Sequence, residues 1–190
     1  MEKARQMLPI RWSTAVKDRF PRFNGKSNWF EVGPNIDYDN PSVGDIADPL
    51  EGVPPVEAIN AVEKAISTVT GPEQDCIFTF WEGFCDTTPE LLHLSRRKII
   101  GMSQPPGHLL LQAPRAILFD YWRTVLENPC YSYPDSTPQA VWSTERQWFY
   151  ALPFHTYSSI FGGSKEMAKI IFESKGVESY ELPEGHAFKY

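Results

Sequence analysis

The chain offers little to a polyanion, a membrane or a metal ion. Its 190 residues carry a net charge of −6, and their densest basic cluster is the triplet Arg96-Arg97-Lys98, so nucleic acid phosphates would be repelled and are not expected partners. Apolar runs are short as well. Leu109-Leu110-Leu111 and the stretch 116–119 fall far below the roughly 20 residues that cross a bilayer. Met1-Glu2-Lys3-Ala4-Arg5-Gln6 leads into no apolar leader, and a cytoplasmic location is expected. The three cysteines, Cys76, Cys85 and Cys130, contain no Cys-x-x-Cys pair, which argues against a disulfide framework or zinc knuckle and for buried, reduced thiols. The four histidines, His93, His108, His155 and His186, lack any spacing that would put two ligands on one helix face, so neither metal nor other cofactor is expected.

Large rings, by contrast, are plentiful. A chain of this length buries roughly 70% of its unfolded surface on folding. Six Trp, eight Tyr and twelve Phe are more than such a core readily hides, which places some rings at the surface, where they mark binding faces. One domain over residues 1–190 is expected, with a loop-rich N-terminal segment, 1–54, and a main body, 55–190.

Breakers dominate the first segment, among them Pro21, Gly33-Pro34, Asn40-Pro41, Pro49 and Pro54-Pro55, and leave room for one short helix over 12–20. Between Gly33 and Gly52 the chain places Asp37, Asp39, Asp45, Asp48 and Glu51 without one Lys or Arg. That is the composition of an acidic surface loop, or of a contact for a basic partner.

Periodicity sets in after Pro54-Pro55. Val56, Ile59, Val62, Ile66 and Val69 form one apolar stripe and predict a helix over 55–70. The run 76–81 is apolar on both faces, as an interior strand would be. Residues 91–100 and 108–112 read as a hairpin around Gln104-Pro105-Pro106-Gly107, and Pro114 suits the first turn of a helix over 114–127 that Asn128-Pro129 ends. Strands are expected at 141–142 and 147–152. Ser164 is expected to cap a helix over 164–174 with Met167, Ile170 and Ile171 inward, Gly176 to follow it in the left-handed conformation, and 177–182 to return as a last strand. The order predicts an α+β fold with a mainly antiparallel sheet and about three packed helices.

Several short motifs recur in this frame: Arg11-Trp12, Phe78-Thr79-Phe80-Trp81-Glu82-Gly83, Ala113-Pro114, Trp142-Ser143-Thr144-Glu145-Arg146-Gln147-Trp148 and Ser159-Ile160-Phe161-Gly162-Gly163-Ser164. Their succession resembles that of a group of uncharacterised bacterial proteins, common in actinobacteria, whose pattern includes an F-x-x-W-x-G strand and a W-x-x-x-R-x-W strand ending in a T-Y-V-G-G-S turn. The resemblance implies a fold and a family with no assigned activity.

No residues spell out a reaction. Ser158, Ser159, His155, Cys130, Asp120, Asp135 and Glu145 contain a nucleophile and a base on paper, yet no G-x-S-x-G elbow arranges them. Gly162, Gly163 and Ser164 precede a helix and form a candidate for holding an anion, since glycines there expose backbone N–H groups; a sharp turn of positive φ is expected at the pair. Glu82, Phe84 and Asp86 leave a core strand and expose a ring beside two acids. Joined to Asp37, Asp39, Asp45, Asp48 and Glu51, they make the candidate contact surface for a basic protein. A non-catalytic protein-binding module, of the kind that inhibits a basic bacterial toxin as immunity proteins do, is the leading expectation. A small-molecule-binding protein or enzyme with a pocket between sheet and helices, and a structural subunit of a larger assembly, are the alternatives.

Overall fold

A computed structural model of the chain describes residues 54–81, 97–100, 108–127, 137–152 and 158–182. Those up to residue 177 fall within one compact unit, Glu51–Val177. The loop-rich segment up to residue 53, including the helix expected over 12–20, lies outside the described residues.

The fold is α+β. Among the described residues, nine elements follow in the order α1 (Val56–Ile66), β1 (Asp75–Trp81), β2 (Arg97–Ile100), β3 (His108–Pro114), α2 (Arg115–Glu127), β4 (Ala140–Ser143), β5 (Phe149–Ala151), β6 (Ile160–Gly162) and α3 (Lys165–Phe172). The strands form one six-stranded sheet in the order β2-β3-β1-β4-β5-β6, every described pairing antiparallel. β1 is flanked by β3 and β4, and its lack of a polar face follows from that interior position. Because both neighbours run against β1, they run parallel to each other, and α2 joins them across it.

Register fixes two faces. Cys76 and Phe78 align with Ala113 and Leu111 on β3 and with Ser143 and Val141 on β4, and Val141 aligns with Tyr150 and through it with Phe161. These side chains, with Phe80 and Leu109, meet Ile59, Val62 and Ile66 of α1, Leu118, Phe119 and Trp122 of α2, and Met167 and Ile171 of α3. The three described helices therefore close the same side of the sheet.

α1 stops earlier than its apolar stripe. After Ile66 the backbone tightens, with Thr68 N–H donating to Ala65 O and Val69 N–H to Ile66 O, while the Ser67 and Thr68 hydroxyls donate to the carbonyls of Lys64 and Ala65 at 2.7 Å each. That tighter turn rotates Val69 out of the stripe into solvent. β3 enters α2 with no intervening loop. Pro114 is the last strand residue rather than a helical one, and the first helical N–H groups are satisfied from outside: Arg115 N–H by the Gln74 carbonyl at 2.9 Å and Ala116 N–H by the Pro72 carbonyl at 3.1 Å.

One ion-pair network ties α1 to α2. The Glu63 carboxylate lies between the Arg115 guanidinium, at 2.9 Å, and that of Arg123, which also reaches Asp120 and Asn60 at 3.0 Å each. α3 bears out its expected cap and inner face. The Ser164 hydroxyl oxygen accepts from Met167 N–H at 3.3 Å, Met167 and Ile171 are buried, and Gly176 follows at φ 91°. The strand expected over 177–182 is not formed; the segment joins no ladder with a described strand. Beyond the compact unit, the Tyr180 hydroxyl donates to the Glu178 carboxylate at 2.7 Å.

Candidate functional site

The acidic and aromatic candidates Asp37, Asp39, Asp45, Asp48, Glu51, Glu82, Phe84 and Asp86 all lie outside the described residues, as do Cys130, Asp135 and His155. Three sites remain to be weighed on geometry: the glycine turn, the buried thiol and the sheet face opposite the helices.

At the turn, neither Gly162 nor Gly163 has a positive φ; the positive-φ residues among those described are Gly176 and Arg146. The expected left-handed turn at the pair is thus corrected. Gly162 is the last residue of β6, in extended pairing with Phe149, and a Cβ there would meet nothing within 4 Å. Gly163 has a different reason to be glycine. A Cβ would stand 2.9 Å from the Phe161 ring and 3.1 Å from the Met167 sulfur. Two of the N–H groups that an anion would need are already engaged: Ser164 takes that of Met167, and the Glu166 carboxyl is held below its usual range by its own backbone N–H and the Ser164 hydroxyl. A carboxylate of the chain itself occupies the positive end of the helix.

The demanding turn lies earlier in the chain, in the W-x-x-x-R-x-W motif between β4 and β5. Ser143 organises it, accepting Arg146 N–H on its carbonyl at 2.9 Å and Gln147 N–H on its hydroxyl at 2.8 Å, and Arg146 takes φ 57°. Trp148 then turns inward and donates its indole N–H to the Thr70 hydroxyl at 2.8 Å, both residues buried.

Catalytic chemistry finds little support among the described side chains. Burial pushes the Cys76 thiol up to about 12, with Arg115 opposing and Asp75 adding to the shift, so it stays protonated near neutral pH. Ser158, Ser159 and Glu145 are exposed, and Asp120 is engaged by Arg123. No group of three His, Cys, Asp or Glu among the described residues could hold a metal ion, and no described helix is long and apolar enough to cross a membrane.

The sheet face away from the helices is the more informative surface. One row across it reads Gln112, Ile77, Trp142, Phe149, Gly162 in direct register. Ile77 and Trp142 are half-buried and Phe149 is 41% exposed, while in the neighbouring row Leu110, Thr79 and Ala151 are buried. Three large apolar residues on adjacent strands thus share one row of the register, with Phe149 the exposed member. Comparison with protein-family models, curated proteins and solved structures finds no match. The row was open to reading from the sequence, since Val141-Trp142 and Phe149-Tyr150 put large side chains on both faces of their strands. What the sequence lacked was the register that sets Trp142 beside Phe149.

Proposed function

We propose that the chain acts by binding another protein and that the row Ile77, Trp142, Phe149 is its contact. The observation that supports this is Phe149, a phenylalanine 41% exposed on a sheet strand, in register with the half-buried Trp142 and, one strand further along the row, with the half-buried Ile77. Covering such a row removes apolar area from water, and aromatic anchors at the centre of a contact carry most of its affinity. The net charge of −6 favours a partner with a basic rim, which long-range attraction would steer into place. Inhibition of a basic enzyme, in the manner of an immunity protein, is the finer form of the proposal.

The test is an affinity comparison with the isolated partner. Phe149→Ser should raise Kd by about tenfold or more, the loss typical of a central aromatic anchor. Phe172→Ser, at a residue 47% exposed but on α3, should leave Kd unchanged. Equal binding by the Phe149 variant overturns the proposal.

A further inference from the structure

On the opposite side of the sheet, three buried polar atoms find no hydrogen-bond partner among the described residues: Trp122 Nε1, Gln139 Oε1 and the Tyr150 hydroxyl oxygen. Their placement is not scattered. Tyr150 aligns with Val141, and Gln139, two residues before Val141, accepts Leu152 N–H on its carbonyl at 2.7 Å. That register carries Gln139 and Tyr150 to the helix-facing side as diagonal neighbours, a spacing that long side chains bridge. Trp122 comes down from α2 onto Tyr150, with ring centroids 5.5 Å apart and planes inclined at 51°. Phe119 backs the indole at 6.1 Å.

The three groups differ in kind. An indole N–H only donates, an amide oxygen only accepts, and a phenol does either. Left unpaired in a core, each carries a desolvation penalty, and native proteins seldom leave several such atoms in one place. We propose that Trp122, Gln139 and Tyr150 frame an internal hydration site, in which one water molecule accepts from the indole, donates to the Gln139 amide oxygen and exchanges a third hydrogen bond with the Tyr150 hydroxyl. About three such bonds is what buried waters make. A charged guest fits poorly: the surrounding core is apolar, and burial already pushes the Tyr150 phenol well above its ordinary range. The Ser159 hydroxyl, which opposes part of that shift, is the rival partner.

Magnetic relaxation dispersion of the water oxygen nucleus, on the full chain, counts long-lived internal waters, and thermal melts accompany it. The expected result is a long-lived water in the parent that Trp122→Phe and Tyr150→Phe each remove, with the melting midpoint falling by several degrees in each. The double variant should fall little further than the worse single one, while Ser159→Ala should add its effect independently. A parent without any long-lived water overturns the proposal even where a variant fails to fold. So does Tyr150→Phe with an unchanged or raised midpoint, the behaviour of a hydroxyl that had no bond to lose, or coupling of Tyr150→Phe to Ser159→Ala in place of Trp122→Phe.

Discussion

Replacing Glu63 with Ala takes away the carboxylate that two arginines share. Arg115 is the sensitive partner: its side chain is 9% exposed against 28% for Arg123, and among the described residues its other acceptor is the Gly71 carbonyl at 3.4 Å. A buried charge stripped of its partner costs roughly 3–5 kcal/mol, whereas an exposed pair contributes about 0–1 kcal/mol. Glu63 itself is 21% exposed, so water can approach the stranded guanidinium and the cost should sit below the buried limit, at about 2–3 kcal/mol. For a chain of this length that corresponds to a fall in Tm of roughly 4–12 °C. Urea unfolding followed by circular dichroism measures it. Pairing Glu63→Leu with Arg115→Met removes both charges and should recover most of the loss, because the penalty lies in the orphaned charge and not in the missing attraction. A loss below about 0.5 kcal/mol for Glu63→Ala, the scale of a surface pair, would refute the reasoning. So would a double variant no more stable than Glu63→Ala.

Arg146→Gly should stabilise the chain by about 0.5–1 kcal/mol in the same assay, since glycine takes the left-handed turn without the steric cost an L side chain bears, less its own entropy; a loss of stability would contradict this. Gly163→Ala should cost about 1–3 kcal/mol because its Cβ must displace the Phe161 ring and the Met167 sulfur, whereas Gly162→Ala, with open space around it, should change Tm little. The raised thiol of Cys76 gives an alkaline signature: with a folded value of about 12 against 9.0, its contribution is complete below pH 9.0 and is lost as pH rises toward 12, because only the unfolded thiol ionises there. Cys76→Ala should accordingly weaken the fall of stability across that window, and an unaltered slope would count against the burial of the thiol.

The fold class and most elements were legible because their signals are local. The stripe from Val56 to Ile66, the two-faced apolar run of β1 and the Ser164 cap each need only a few neighbouring residues to be read. What was not legible depended on partners distant in sequence. Val69 continues the stripe in spacing, yet the tightened end of α1 turns it outward. Residues 177–182 have a strand-like composition, yet they join no ladder with a described strand. The glycine pair pointed to backbone strain, while the strained residue is Arg146, whose turn is specified by a buried serine, Ser143, and not by a glycine. The candidate row depended on distant partners in the same way: Ile77, Trp142 and Phe149 are brought into line only by the register of three strands.

That face carries the account's central claim, and photo-crosslinking tests it most directly. A photoreactive phenylalanine at position 149, installed in the full chain within the cell that makes it, should yield one protein adduct that excess unlabelled chain competes away and whose protein binds the purified chain. The same group at position 172, exposed on the far layer of the fold, should yield none. No adduct from position 149, or the same adducts from both positions, would contradict the claim that this row of the sheet is a contact surface.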